Sequence, residues 1–236
     1  MQLCLCCAQC SFISSLLLKN DFEAYLTLVS MHIRYVLLAI GVITSFNLSG
    51  QYKAEEFQAA MIETKFGAMI IYNGQKNSFT LRVVSNSIEP TQQENFLLID
   101  KKLVQSSIIP FQEEFDFKSL TMEKQKELLS GYKEYEKEYV QEQLKIKLVE
   151  SEQFMNLEGK MFKYWSFDMP KDNGSVVKQV YLFTICFDQI LILNGPVEKS
   201  QNEAAVKSVL ISMAKSLEVF PGKTQDLRKL YFDMNN

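Results

Sequence analysis

The sequence predicts an α+β fold: an antiparallel sheet of about six to eight strands packed by two main helices. Short apolar runs with period-2 alternation, separated by turn signals, occur in two groups. A long charged helix stands between the groups, and a second helix follows the last strands. Strands and helices grouped in this way are typical of α+β proteins, whereas doubly wound α/β folds alternate strand and helix. No linker rich in Pro, Gly and Ser divides residues 51–236, so we expect one domain there.

The first group begins with a predicted short helix at residues 54–65, because Phe57 and Met61 lie one turn apart on one face. An apolar run follows and ends at Asn73-Gly74, a strong turn signal. Further strands end at Pro110, which has no N–H to donate to a ladder. The predicted strands of this group cover residues 69–72, 79–83, 96–99 and 103–109.

The clearest helix covers residues 121–144, with Thr121 as its N-cap. One of its faces carries Leu128, Tyr132, Tyr135 and Tyr139 at spacings of four, three and four. We interpret this tyrosine stripe first as the inner face of the helix, with hydroxyls at the rim. The alternative is a binding surface, since tyrosine offers apolar area with a polar tip.

A meander and a helix are predicted in the C-terminal half. Turn signals occur at Glu158-Gly159-Lys160, Asp172-Asn173-Gly174, Asp188-Gln189 and Asn194-Gly195-Pro196, and the last of these closes the predicted sheet. The strands between them cover residues 144–148, 161–169, 176–187 and 190–193. The last helix covers residues 198–217 and ends before Phe220-Pro221-Gly222, and residues 226–232 form a final short turn.

Three segments of this half resemble the PsbP-like family. They are Gln179-Val180-Tyr181-Leu182-Phe183, Ile190-Leu191-Ile192-Leu193-Asn194-Gly195, and a helix that ends Ala214-Lys215-Ser216-Leu217. Two paired strands that lead into such a terminal helix are similar to that family's ending, over about residues 150–220. The resemblance implies a non-enzymatic binding or accessory role, although fold alone does not fix function.

A signal peptide is predicted at residues 31–50. Arg34 gives a positive start, residues 35–46 form an uncharged apolar run, and small residues follow at the cleavage site. The run is shorter than the roughly 20 residues that cross a bilayer. We therefore expect an exported protein, periplasmic or secreted, with no stable membrane insertion after leader removal. Residues 1–30 are interpreted as an over-extended gene start without structure; the alternative is a pair of membrane-buried segments.

Four of the five cysteines, Cys4, Cys6, Cys7 and Cys10, lie in the first ten residues. A metal or redox site is one interpretation of this cluster, but no histidine lies near it and an apolar run follows at once. We therefore predict no metal site. Cys186 lies in a predicted strand and is expected to pack as a small buried hydrophobe.

Several chemistries are excluded by composition. The only histidine is His32, inside the predicted leader, so the mature chain lacks His-dependent catalysis and His-ligated zinc. No glycine-rich phosphate loop is present, and we predict no cofactor. The formal net charge of -3 gives no reason to expect a nucleic acid partner.

Carboxylate chemistry remains open. Asp100, Asp168 and Asp188 lie at or near predicted turns, and a pair of carboxylates can hydrolyse glycosides. Aspartate is also common in turns for purely structural reasons, because its side chain bonds its own backbone. We favour the structural role and predict no catalytic residue.

The densest aromatic patch supplies the candidate binding surface: Phe162, Tyr164, Trp165 and Phe167. In a strand, Phe162 and Tyr164 share one face, and Trp165 and Phe167 share the other. Either both faces are core, which we favour, or one is an exposed contact for a ligand or partner. The prediction is an exported, non-enzymatic binding or accessory protein whose partner is an unknown protein or small ligand; the alternative is a carboxylate-dependent hydrolase of the cell envelope.

Overall fold

The computed structural model describes residues 52–92, 95–112, 116–171 and 174–236. The predicted signal peptide at residues 31–50, the preceding segment with its four cysteines and part of the predicted turn at residues 172–174 lie outside the described residues. Within them the chain forms eleven strands and three α-helices, so the predicted α+β class is confirmed. The strands form two antiparallel sheets rather than the one sheet expected.

The small sheet has four strands in the order β1-β2-β3-β11. Their bounds are β1 Gln58–Thr64, β2 Gly67–Asn73, β3 Ser78–Val84 and β11 Glu218–Phe220. The Asn73-Gly74 turn joins β2 to β3 as predicted, and Asn73 pairs with Ser78 across it. β11 brings the C-terminal part of the chain back to this sheet beside β3.

The large sheet has seven strands in the order β4-β5-β6-β10-β9-β8-β7. Their bounds are β4 Ile88–Pro90, β5 Phe96–Ile99, β6 Lys102–Pro110, β7 Glu150–Leu157, β8 Lys160–Asp168, β9 Val176–Cys186 and β10 Gln189–Glu198. β6 pairs with β10, so the two groups of strands seen in the sequence meet in the middle of one sheet.

The helices are α1 Met122–Leu144, α2 Glu203–Lys215 and α3 Leu227–Asn235. Each begins at a side-chain cap, which satisfies a backbone N–H that the first turn leaves unpaired. Thr121 accepts from the Lys124 N–H at 3.2 Å, Asn202 from Ala204 at 2.8 Å and Asp226 from Lys229 at 3.0 Å. Among the described residues, no helix is both long and apolar enough to cross a membrane.

One hydrophobic core joins the two sheets and α2. Its fully buried members include Phe79 and Leu81 of the small sheet, Phe162 and Leu182 of the large sheet, and Leu210 of α2. α1 packs on β8 and β9. Because side chains alternate along a strand, the residues of β8 beneath α1 are not those that enter this core.

The predicted helix at residues 54–65 is wrong, since this segment forms β1. Met61 pairs with Ile70 of β2 in a regular antiparallel register. A spacing of four is one helical turn, but it is also an even number, so Phe57 and Met61 fit one side of an extended chain equally well. The Phe57 ring packs 5.4 Å from Phe79 and 6.2 Å from Phe187, which ties the segment to the core.

The predicted strand at residues 144–148 is also wrong. α1 ends at Leu144, Lys145 is left-handed with φ 54°, and the Gln141 side chain accepts from the Leu148 N–H at 3.0 Å. The strand begins only at Glu150. The alternation of leucine and lysine here therefore belongs to a helix C-terminus and its cap.

β10 continues past Asn194-Gly195-Pro196, where the sequence predicted that the sheet closes. Pro196 pairs with Gln179 of β9, whereas the pairing of β10 with β6 ends at Asn194. The missing N–H of Pro196 therefore interrupts no ladder on the β6 side. The predicted helix at residues 198–217 begins later, at Glu203.

Gly131 lies in the middle of α1, and beyond its chain neighbours and the backbone of the helix itself, no described atom lies within 4 Å of the place where a Cβ would be. We expect Gly131→Ala to raise the free energy of unfolding by about 1 kcal/mol, because alanine is the better helix former and nothing opposes its methyl group. Urea titration followed by circular dichroism measures the change. A loss of stability would show that α1 needs the glycine for a reason other than helix propensity.

Candidate functional site

The four aromatic residues of the candidate binding surface are all buried: Phe162 0%, Tyr164 3%, Trp165 0% and Phe167 1% exposed. Phe162 and Tyr164 enter the core between the sheets. Trp165 and Phe167 lie on the opposite face of β8. The two faces are divided as predicted, but neither is an open surface, because β8 is covered on both sides.

An aromatic layer extends from Trp165 and Phe167 across β9. The ring centroids of Trp165 and Tyr181 are 5.1 Å apart, and those of Tyr181 and Phe183 are 5.5 Å apart. Tyr132 of α1 meets Phe183 edge-on at 5.2 Å. These separations are within the range in which aromatic pairs attract each other. The single tryptophan of the chain therefore lies in the layer next to α1 and reports on the packing of this helix.

Ion pairs between α1, β7 and β8 border this layer. Lys133 is 1% exposed, and its Nζ lies 2.9 Å from carboxylate oxygens of Glu134, Glu150 and Glu152. Glu150 also pairs with Lys137 and accepts from the Trp165 indole N–H at 2.8 Å. Lys163 of β8 lies 3.2 Å from Glu152. We call these residues, Lys133, Lys137, Lys163, Glu134, Glu150 and Glu152, the ion network.

The ion network favours the charged form of its members. Burial lowers the pKa of Lys133, but hydrogen bonds to Glu150, Glu152 and Glu134 outweigh this effect and hold that pKa above its ordinary value. Burial raises the pKa of Glu150 and of Glu152, but hydrogen bonds outweigh it and lower both values. For Glu150 the donors are Lys137, Lys133 and Trp165.

We expect the free energy of unfolding to fall as the pH decreases below the ordinary glutamate value of 4.5. The folded pKa values of Glu150 and Glu152 lie below those of the unfolded chain, so this stabilisation is present above the unfolded pKa and is lost as the pH passes down through the folded pKa. Glu136 has a raised pKa and acts in the opposite direction, but at higher pH, between the ordinary glutamate value and its raised folded value. Urea titrations between pH 7 and pH 3 measure the slope.

The double variant Glu150→Gln/Glu152→Gln is the control for this pH dependence. It is expected to be less stable at pH 7 and to lose less of its remaining stability on acidification. An unchanged slope would assign the acid sensitivity to carboxylates elsewhere.

The tyrosine stripe is only in part the inner face of α1. The residues of the helix that are fully buried are Leu129, Lys133 and Val140, whereas Tyr135 is 47% exposed. Tyr132 and Tyr139 are half-buried. The inner face is thus rotated by about one residue from the prediction, because a lysine held by three carboxylates occupies its centre.

The carboxylates named from the sequence have structural partners. Asp188 accepts from the Tyr52 hydroxyl at 2.8 Å and from the Glu55 N–H at 2.6 Å, which holds the start of the described chain against the β9–β10 turn. Asp100 has φ 46° and accepts from the Ser85 hydroxyl at 2.7 Å. Both therefore have structural partners, although Asp188 bonds a distant segment of the chain and not only its own turn.

Asp168 is the exception, because a second carboxylate shares its cation. Lys178 Nζ lies 3.2 Å from Asp168 Oδ1 and 3.2 Å from Glu203 Oε2. The Tyr164 hydroxyl donates to Glu203 at 2.9 Å. The lysine contacts both carboxylates, whereas a hydrolase that uses two carboxylates needs that region for substrate and water.

Cys186 is fully buried in the core, as predicted. Burial raises the pKa of its thiol well above the ordinary value, so little reactive thiolate forms. No three His, Cys, Asp or Glu side chains of the described residues converge in a way that would hold a metal ion.

An exposed apolar surface lies on the small sheet, which sequence reasoning did not identify. Tyr231 and Phe232 of α3 are 47% and 50% exposed, and Phe66, between β1 and β2, is 65% exposed. The Asn235 side chain donates to the Glu63 carbonyl at 3.0 Å, so the end of α3 lies at the same end of the sheet as Phe66. We call Phe66, Tyr231 and Phe232 the apolar surface. From the sequence, this surface could have been predicted only by combining two facts. The three residues are aromatic, and a two-residue turn or a helix near the end of the chain is usually exposed.

The fold and these clusters define an α+β protein with two antiparallel sheets, a shared core and an aromatic layer next to α1. In a comparison of structures, it is similar to the solution structure of cyanobacterial PsbP (CyanoP) from Synechocystis sp. PCC 6803. The TM-score is 0.41 and the identity 11%, over 67% of this chain and 94% of that chain. The likeness is weak and partial, as the sequence resemblance indicated. No protein-family model and no curated protein matches the chain.

Proposed function

We propose that the chain is an exported, non-enzymatic binding or accessory protein whose partner is another protein. The observation that carries the proposal is the apolar surface of Phe66, Tyr231 and Phe232, each about half exposed or more. Contiguous exposed apolar patches mark interaction sites, whereas single exposed apolar residues are common on any protein surface. The net charge of -3 favours a protein partner over an anionic membrane, because it gives no general attraction to such a surface.

Export is supported by the leader pattern at residues 31–50. Mass analysis of the native N-terminus, combined with fractionation of the producing cells, tests it. A mature start near Gln51 in the soluble exported fraction supports export. An intact start at Met1 in the membrane fraction contradicts it and directs attention to Cys4, Cys6, Cys7 and Cys10.

Binding is tested by placing a photoreactive amino acid at Phe66 in the producing cells, with exposed Lys199 as the control position. We expect crosslinks to one identified partner from position 66 and not from position 199. The double variant Tyr231→Lys/Phe232→Lys is expected to abolish that crosslink while the protein stays folded. Crosslinks only to a second copy of the chain, or binding to vesicles alone, would contradict the proposal.

The alternative function, an envelope hydrolase, would have to use Asp168 and Glu203, the two carboxylates that share Lys178, and that lysine would have to leave the region that substrate and water need. Activity on cell-wall glycans that disappears in Glu203→Gln would support it. Equal turnover by the wild type and by this variant would rule out the hydrolase function, because an amide cannot do the work of a catalytic carboxylate.

A further inference from the structure

The strand β7 forms one edge of the large sheet. In the described part of the chain, β7 pairs with β8 over all of its 8 residues and has no strand on its other side. This side of the strand is open to solvent, since four of its residues are exposed: Ser151, Glu152, Gln153 and Asn156. An edge strand offers a row of backbone donors and acceptors with which a further strand can pair.

The other sheet edges of the described residues are protected against such pairing. β4 and β11 have 3 residues each, and β4 ends at Pro90, which has no N–H to donate. At β1, the Glu63 carbonyl already accepts from the Asn235 side chain of α3. β7 has none of these features, because it contains no proline and no lysine, and its register with β8 has no bulge. β7 is therefore the edge best suited to pair with a further strand.

The turn between β7 and β8 determines which backbone groups point outward. Its two residues, Glu158 and Gly159, have φ 50° and 78°, as in the type I′ turn of a two-residue hairpin. The turn hydrogen bond joins Leu157 to Lys160, and hydrogen-bonded pairs alternate along antiparallel strands from there. The backbone groups that point away from β8 are therefore those of Glu150, Glu152, Phe154 and Asn156.

We propose that β7 pairs with β7 of a second copy of the chain, antiparallel and about a two-fold axis at Gln153. Residues with outward backbone groups must lie opposite one another, so the register can change only in steps that keep this match. With the axis at Gln153, Glu152 lies opposite Phe154 of the second copy. Moving the axis to Glu152 would place two carboxylates opposite each other, which is unfavourable. Moving it to Phe154 would bring the Lys163 ammonium groups of both copies together, because each lies 4.3 Å from its own Phe154 ring centroid.

Charge complementarity favours the register with the axis at Gln153. In each copy, the ammonium groups of Lys163 and Lys126 lie 4.3 Å and 5.9 Å from the Phe154 ring centroid. Glu152 of one copy therefore lies next to cations of the other, and opposite charges across paired strands stabilise the pair. Two-fold symmetry repeats this contact on the other side of the axis. The contact is separate from the apolar surface and does not depend on the proposed protein partner.

The molar mass in solution tests this pairing. Light scattering of the full chain purified from its producing cells, over a wide range of protein concentration, is expected to show a dimer. Gln153→Lys and Gln153→Glu should each weaken the dimer at least about tenfold, because each places like charges opposite each other at the axis. An equal mixture of the two variants should restore the dimer, since an ammonium group then faces a carboxylate. The matched control is Gln58→Lys, the same change at an exposed position of β1, which should leave the dimer intact.

Amide hydrogen exchange distinguishes strand pairing from a contact between side chains alone. The N–H groups of Glu152 and Phe154 should exchange slowly in the wild-type dimer and quickly in Gln153→Lys. The Met155 N–H, which faces β8, should stay protected in both proteins. Circular dichroism of each variant checks that the fold is kept.

A wild-type chain that is monomeric at every concentration would overturn the proposal. A dimer that survives Gln153→Lys, or that the mixture of the two variants does not restore, would do the same. Loss of the dimer in Tyr231→Lys/Phe232→Lys would move the contact to the apolar surface, and pairing of β7 with a strand of a different protein would replace the second copy as its partner. Either result would contradict the proposed dimer.

Discussion

Replacement of Lys133 by methionine is expected to lower the free energy of unfolding by about 3–5 kcal/mol. Methionine keeps most of the apolar stem but removes the ammonium group that lies 2.9 Å from each of three carboxylates. Glu150 and Glu152 would remain beneath α1 with one lysine each, Lys137 and Lys163. Urea titration followed by Trp165 fluorescence measures the effect, because the indole N–H donates to Glu150 within the same network.

The control is Lys124→Met near the start of the same helix. Lys124 pairs with Glu127 at 2.8 Å, but both side chains are at least half exposed. Exposed pairs of this kind contribute at most about 1 kcal/mol. If Lys133→Met were no more destabilising than Lys124→Met, the ion network would not hold α1 on the sheet.

A second variant tests whether the loss arises from unpaired carboxylates. Adding Glu152→Gln to Lys133→Met removes one of the charges that the first change leaves behind. The double variant should therefore lose less stability than the two single variants added together. Strict additivity would mean that Lys133 acts through packing alone.

The strands and helices with strong local signals were predictable from the sequence. The Asn73-Gly74 turn, the Thr121 cap and the Pro110 strand end each depend on the backbone chemistry of one or two residues. The division into two sheets was not predictable, because it depends on which strands pair. β11 has only three residues, and nothing within Glu218–Phe220 indicates that it pairs with β3.

The candidate site was less predictable than the fold. Period-2 alternation correctly divided Phe162 and Tyr164 from Trp165 and Phe167, but it does not show what covers each face. Burial of Lys133 could not be predicted, because its partners Glu150 and Glu152 are more than fifteen residues away in β7. Burial of a single polar side chain is decided by tertiary contacts that the local sequence does not encode.

The second large effect is expected at the start of β2. Gly67→Ala should lower the free energy of unfolding by about 3 kcal/mol or more. Gly67 has φ +134°, a conformation that residues with a Cβ rarely adopt. A Cβ there would lie 2.1 Å from the Val83 carbonyl oxygen and 3.0 Å from the Ser85 nitrogen. Both are backbone atoms of β3 or its end, so relief requires the hairpin of β1 and β2 to move away from its neighbour.

Gly159→Ala is the matched control, because Gly159 also has positive φ, +78°, but no atom within 4 Å of its Cβ position. Gly159→Ala should lower the free energy of unfolding only by the strain of a left-handed backbone, about 1–2 kcal/mol. Urea titrations of the two variants separate strain from steric overlap. If Gly67→Ala cost no more than Gly159→Ala, the close pairing of β2 with β3 at Gly67 and Val84 would be wrong.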